Sequence, residues 1–325
     1  MLGPRTTVIV NPQSQGGRLG KRWAELADTI GRAFPFDEAR TTGPGDATRL
    51  AREALRGGAE RVVAIGGDGT INEVVNGFFD DAGKPINPEA SFALIPFGTG
   101  GDFRRTMNIP TDLAEAAAVI AKNHRKRIDV GRLELTTTSG GKASRMFANI
   151  ASFGVSGVVD RLVNESGKKL GRLSFMLATA RATWSYKNQR VQLIFDGTER
   201  AELTINTVAV ANGRYFGGAM MVAPNAEVDD GVFDVVAMGD FTFGDLVKSG
   251  QRLYKGTHLG MDKVSVRRAK VVEAVPVDPG AVVELDVDGE CPGKLPARFE
   301  IVPAALWMVV PGAEGAGGAS GRPGA

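Results

Sequence analysis

The run Val62-Val63-Ala64-Ile65 passes without a break into Gly66-Gly67-Asp68-Gly69-Thr70, and a helical pattern, Ile71–Phe78, follows at once. A buried strand, a glycine turn and a helix in that order leave few folds open, because the turn must reverse the chain tightly above the end of a strand. The same grammar recurs on both sides. Thr7–Val10 ends at Asn11-Pro12 and precedes a helix with Trp23, Leu26, Ala27, Ile30 and Phe34 on one face. A second helical stretch, about 46–56, stops at Gly57-Gly58. Phe92–Pro96 runs into Phe97-Gly98-Thr99-Gly100-Gly101-Asp102-Phe103 and an Ala-rich helix over about 112–121. Repeated strand–loop–helix units imply a parallel, doubly wound sheet whose ligand sits at the carboxyl ends of the strands.

The pattern changes near Arg127. Ile128–Leu135 roughly alternates, and strand-like runs follow at 145–152, 190–196, 203–211, 232–238, 282–288 and 298–302, with helical patterns at about 171–186 and 242–255. The expected organisation is an α/β domain over 1–127, a mostly antiparallel β-rich domain over 128–311, and a glycine-rich disordered tail over 312–325. Glycine is 43 of 325 residues, well above the ~7% of ordinary proteins, and outside the tail it concentrates in short turns after apolar runs. The formal net charge of +2 offers no large basic surface, so nucleic acid is not an expected partner. One cysteine excludes an internal disulfide and any Cys-rich metal site. Two distant histidines, His124 and His258, make a His-based metal site improbable. No apolar run approaches the ~18 residues of a membrane span, and no secretory signal is expected.

In the turn at 66–70 the glycines let backbone N–H groups approach an anion, and the helix N-terminus adds its dipole. Asp68 beside such an anion hole calls for a cation, and Mg²⁺ bridged to phosphate oxygens fits. The plain structural alternative makes Thr70 an N-cap and Glu73 the far end of a Thr-x-x-Glu capping box. A Walker loop fails, because Gln15 and Arg22 occupy the required glycine and Ser/Thr positions around Gly20-Lys21.

Gly66-Gly67-Asp68-Gly69-Thr70-x-Asn72-Glu73 resembles the signature of the diacylglycerol kinase / sphingosine kinase catalytic domain, a core shared with NAD kinases and 6-phosphofructokinases. Asn11-Pro12-x-Ser14, Pro96-x-Gly98-Thr99-x-x-Asp102-Phe103-x-Arg105, Pro224-x-Ala226-x-x-Asp229-Asp230-Gly231-x-Phe233-Asp234 and Asp288-Gly289-Glu290 resemble further motifs of that family, in its order. The match is to its bacterial lipid kinase group. Gln15 departs from a usual glycine, Gly101 from a usual asparagine, and Cys291 comes where proline often follows directly.

The resemblance implies ATP and Mg²⁺ as cofactors and a lipid hydroxyl at the membrane surface as acceptor. It implies that Asn11, Ser14, Thr42, Gly66, Gly67, Asp68, Gly69, Thr70, Asn72, Glu73 and Thr99 line the ATP site. Asp68 and Asp102 would organise Mg²⁺ and the transferring phosphate, and Glu290, beside Asp288, would take the acceptor's proton. A second, structural Mg²⁺ would be held by Glu227, Asp230 and the carbonyl of Val232; an ordinary turn at Asp229-Asp230-Gly231 is the alternative. Cys291 is read as a small packed residue. The basic run Asn123–Arg127 is either a contact for anionic headgroups or a solvated helix end, and the apolar patch within 171–186 either core or lipid cleft. The expected location is the cytoplasm, peripheral at the inner membrane face. An exposed sheet edge leaves a homodimer open. An NAD kinase-like enzyme and a nucleotide- or lipid-binding regulator with little catalysis are the competing readings.

Overall fold

A computed structural model of the chain describes residues 3–98, 100–165, 186–241 and 243–312. The first unit alternates as expected: β1 (Thr6–Val10), α1 (Ser14–Ala33), β2 (Asp37–Arg40), α2 (Asp46–Arg56), β3 (Arg61–Gly66), α3 (Asp68–Gly77), β4 (Ser91–Pro96), α4 (Asp102–Thr106) and α5 (Leu113–Lys122). The strands lie in the order β2-β1-β3-β4, all parallel. Val8, Ile9, Val10 and Val62 to Ile65 are wholly enclosed, because helices cover both faces of the sheet. α1 buries Leu19, Trp23, Leu26 and Ile30, the stripe read from its spacing. Asp112 starts α5 by accepting the Glu115 N–H at 3.0 Å. β2 and the short α4 were not anticipated. β2 is a charged, exposed edge strand with no apolar alternation to announce it.

The second unit is a sandwich. β5 (Arg125–Thr136), β6 (Lys142–Phe147), β8 (Gln189–Phe195), β9 (Glu199–Ile205), β13 (Val271–Pro276) and the long β15 (Lys294–Val309) extend the first sheet. β7 (Ile150–Gly154), β10 (Thr207–Ala211), β11 (Phe233–Met238), β12 (Val264–Ala269) and β14 (Leu285–Val287) form a separate antiparallel sheet. Helices α6 (Val155–Glu165) and α7 (Phe243–Lys255) flank it. Along β10, Val208 and Val210 point between the two sheets, while Ala209 and Ala211 point to the other face.

Two expected strands each prove to be two. The run at 145–152 breaks after Phe147, and the run at 203–211 breaks at Asn206; in both cases the chain leaves one sheet and enters the other. Asn149 and Asn206, both buried, mark the crossings. Asn149 donates from Nδ2 to the Tyr215 carbonyl at 2.9 Å, and its own carbonyl accepts the N–H groups of Asn212 and Gly213. Strands β12 and β13 were not expected either. The anticipated boundary at 127/128 falls inside β5, and β15 pairs with β5 along most of its length before running parallel to β4 at Trp307 and Met308. The helix expected at 171–186, save its last residue, and most of the tail, 313–325, lie outside the described residues.

Candidate active site at the glycine turns

The carboxyl ends of β1, β3 and β4 carry three turns that brace one another. Asn11, after β1, donates from Nδ2 to Thr70 Oγ1 at 2.9 Å and accepts the Gln13 N–H at 3.0 Å. The chain then enters α1 through a left-handed run, Gln15 (φ 53), Gly16 (φ 67) and Gly17 (φ 86). Glycine adopts that conformation freely, whereas Gln15 does so at roughly 1–2 kcal/mol. The departure from the family's usual glycine is thus a local strain on the turn beside the expected ATP site. Gly101 (φ 67) meets the same demand before α4 with a residue that needs no side chain to tolerate it.

The glycines of the next two turns serve close packing. A Cβ on Gly98 would stand 2.7 Å from Gly67 Cα, and one on Gly66 2.8 Å from the Thr70 side chain. A Cβ on Gly100 would stand 2.6 Å from Asp68 Oδ2. Gly69 is different: its nearest neighbour is Glu290 Oε1, at ordinary contact distance. The capping-box reading is corrected here. Gly67 precedes the first turn of α3, Thr70 lies within the helix, and Glu73 turns away to accept the N–H groups of Gly45 and Ala47, each at 3.0 Å. Glu73 thereby caps α2 instead of its own helix. Thr42 is held by Asp46, which accepts its hydroxyl and its N–H; those bonds, with the Arg49 guanidinium, hold the Asp46 carboxyl down to about 2. Ser14 follows Asn11, donating its N–H to the Asn11 carbonyl at 3.0 Å. Thr99 lies outside the described residues.

Four carboxylates gather over this floor. Asp68 is partly buried and accepts the N–H groups of Gly101 at 2.9 Å and Asp102 at 3.2 Å. Burial raises its pKa above the usual value, and the neighbouring Asp102 charge adds to the effect against those hydrogen bonds. Asp102 accepts two further N–H groups, from Gly218 at 2.9 Å and Ala219 at 2.7 Å. Those donors sit in a tight loop between Phe216 and Met220, where Gly217, Gly218 and Ala219 all have positive φ. Asp68 therefore ties the second glycine turn to the third, and Asp102 ties the third to the sandwich. The loop at 216–220 was missed in the sequence, where Gly217-Gly218 was the available signal.

Asp288 and Glu290 arrive on a two-residue hairpin. Val287 and Glu290 exchange backbone hydrogen bonds, and Asp288 (φ 49) and Gly289 (φ 86) occupy the corner. Positive φ at both corner positions is the reason for an Asp-Gly pair there. Asp288 accepts Asn72 Nδ2 at 2.7 Å and the Ile150 N–H at 3.2 Å, and burial pushes its carboxyl up to about 7. Asn72 and Asn76 both donate to the Met146 carbonyl, and Asn76 Oδ1 accepts the Met146 N–H at 2.9 Å. These bonds stitch α3 to β6. Next along β6, Arg145 donates from Nη1 to Glu290 Oε2 at 2.6 Å. No pattern in the sequence singled out Arg145. Cys291 is half-buried beside this hairpin.

The residues expected to hold a second metal ion lie before β11, within electrostatic reach of Asp234. Asp230 pairs with Arg268 and accepts the Val232 N–H at 3.2 Å, and Glu227 is exposed. Among the described residues no three His, Cys, Asp or Glu side chains stand where they could hold one ion. Asp229-Asp230-Gly231 forms a turn before β11, fastened by the Gly231 N–H to Asp129 Oδ2 at 2.7 Å. The basic run at 123–127 begins at Asn123, the C-cap of α5, and runs on into β5: Arg125 and Arg127 lie 5.0 and 4.4 Å from the centre of the Trp307 ring, and Lys126 pairs with Asp229 at 2.8 Å.

Residues 5–133 match the diacylglycerol kinase catalytic domain, and residues 149–310 match the YegS C-terminal NAD kinase beta sandwich-like domain. A diacylglycerol kinase of Staphylococcus carnosus is 30% identical over 302 residues, 91% of each chain. One from Mycobacterium tuberculosis is 28% identical over 309 residues, 94% of this chain and 95% of that one. Among solved structures, a putative diacylglycerol kinase from Bacillus anthracis superposes with a TM-score of 0.76 at 28% identity, covering 95% of this chain and 96% of the other. Yeast NADH kinase, at TM-score 0.54 and 11% identity, shares the fold.

Proposed function

The chain belongs to the diacylglycerol kinase family and is a lipid kinase, and from that premise we propose that it transfers the γ-phosphate of ATP to a hydroxyl of a diacylglycerol-like membrane lipid. The observation that carries this reading is the position of Glu290, a carboxylate one third exposed, against Gly69 of the phosphate-type turn. A base and an anion-binding turn at one mouth are what phosphoryl transfer to an alcohol requires.

In this mechanism the N–H groups at the start of α3 and the turn Gly66–Thr70 receive the phosphates. Asn11 and Ser14 border them, while Thr42 and Glu73 shape the nucleotide wall through α2. Asp68 and Asp102 lie close enough for their charges to oppose each other, which suits a cation arriving with the nucleotide. Mg²⁺ is commonly held by one or two carboxylates together with substrate phosphates, so a complete protein cage is not needed. When bound it would neutralise charge on the phosphates. Glu290 takes the proton as the lipid oxygen bonds to phosphorus and the bond to ADP breaks; Asn72 and Asp288 hold the hairpin that presents it. No helix among the described residues is long and apolar enough to cross a membrane, and the enzyme is proposed to meet its lipid from the cytoplasmic surface.

The test is transfer of label from γ-labelled ATP, with Mg²⁺, into a panel of lipids in mixed micelles, with NAD as a parallel acceptor. Label in one lipid class is expected; label in NAD alone would replace this reading with the NAD kinase one. Glu290→Gln should lower transfer about 10²- to 10⁴-fold while nucleotide still binds, and undiminished transfer would remove Glu290 from the mechanism. With lipid presented on anionic vesicles, the rate should fall as salt rises.

A further inference from the structure

The carboxylates of this site face a substrate that is itself strongly negative, so the placement of cations around them decides whether ATP can approach. Among the described residues two guanidinium groups pair with these carboxylates, and a third, Arg104, lies within Coulombic reach of Asp68 and Asp102 while donating to the Ile109 carbonyl at 3.3 Å. Arg105 directs Nη1 to the backbone carbonyls of Gly100 and Gly101 and lies 3.8 Å from Asp102. It is committed to holding the third turn. Arg145 instead meets Glu290 at 2.6 Å, with side chains 39% and 34% exposed. It is the guanidinium that stands at the mouth.

Its backbone is not free to drift. Met146, the next residue, is bonded through both its N–H and its carbonyl to Asn76 of α3. Leu133 pairs with Arg145 across the β5–β6 ladder. The helix whose first turn receives the phosphates therefore also sets the distance to Arg145. The pairing is one-sided as well: Arg145 takes Glu290 Oε2, while Oε1 faces Gly69. A guanidinium presents five N–H donors in a planar fork, enough to bind a carboxylate and a phosphate together. An ion pair this exposed contributes ~0–1 kcal/mol as a structural contact, so stability alone does not account for its placement.

We infer that Arg145 reads the terminal phosphate of the nucleotide: it holds Glu290 through Oε2 and, when ATP binds, extends its remaining donors to the γ-phosphate, joining base and phosphoryl group through one side chain. This rests on the proposed kinase reading and assigns ATP-over-ADP discrimination at that site to a residue outside the recognised motifs. Arg145 moves no proton and forms no bond with phosphorus; it positions the two groups that do.

The experiment is calorimetric titration of the full chain with MgATP and with MgADP, for wild type, Arg145→Gln and Arg145→Lys at one salt concentration. In Arg145→Gln the ratio of ATP to ADP affinity should fall about 10- to 100-fold, the range of a charge-assisted hydrogen bond. ADP affinity should stay within about twofold, which also reports that the variant is folded. Arg145→Lys, which keeps the charge without the fork, should recover part of the ratio; it decides the matter should the glutamine variant bind neither nucleotide. Glu290→Gln should strengthen ATP binding by releasing the guanidinium, and this gain should shrink in the double variant. A variant that keeps the wild-type ratio of ATP to ADP affinity overturns the inference. Failure of the wild type to bind either nucleotide would instead overturn the kinase reading.

Discussion

A carboxyl group packed among protein atoms resists ionisation, and Asp288, partly buried at the hairpin corner, is in that position. Burial, helped by the charges of Asp68 and Asp286, pushes it up to about 7 against the hydrogen bonds from Ile150 and Asn72. An unfolded aspartate titrates near ~3.9, so between those values the folded chain holds a proton that the unfolded chain has lost. The stability contributed is complete below about pH 4 and disappears as pH rises through 7. Asp288→Asn cannot titrate, so its stability relative to wild type should rise by on the order of 3 kcal/mol between pH 5 and 8. Chemical denaturation of both proteins at several pH values checks this; a constant difference would mean that Asp288 ionises normally. The other residues at this scale divide by how local their reasons are. Asp68 stood out in the sequence because a glycine turn surrounds it, Asp288 and Glu290 through the family resemblance. Asp102 stood out too, but its bonds to Gly218 and Ala219 come from a loop more than a hundred residues away.

Between elements, the turns are limited by how closely backbone can approach backbone. Gly98→Ala would place a methyl group 2.7 Å from Gly67 Cα, and neither turn can yield without moving β3 or β4. We expect a loss of about 1–3 kcal/mol together with weaker ATP binding. Gly250→Ala, in α7 with nothing within 4 Å of the added carbon, should raise stability by about 0.5–1 kcal/mol. Denaturant midpoints of the two variants provide the comparison, and equal stability for Gly98→Ala would show that the turns are not in contact. Helices and buried strands of the first unit were readable because their apolar spacing is regular. The sheet crossings at Asn149 and Asn206 were not, since apolar residues continue on both sides and periodicity carries no record of which neighbour a strand pairs with.

Across the whole molecule, β15 joins what the composition divides. It pairs with β5 and β13 in the sandwich and with β4 in the first unit. Asp129 of β5 adds a second tie, accepting N–H groups from Gly231 and from Ala304 within β15, each at 2.7 Å. One continuous sheet cannot lose half its strands without exposing the edge of the other half. Scanning calorimetry of the full chain should therefore show a single cooperative transition, its calorimetric and van't Hoff enthalpies in agreement; two separated transitions would mean that the units melt apart.

The sequence by itself determined the glycine turns, the parallel sheet beneath them, the order of the family's motifs and the carboxylates carried on those motifs, because each depends on contacts within a few residues. Only the tertiary structure decided that Glu73 caps α2, that Arg268 pairs with Asp230, and that Arg145 stands beside Glu290. Those pairings join residues from 26 to 145 positions apart, and which groups meet across such a distance is settled by strand register and helix packing, which leave no local pattern in the chain.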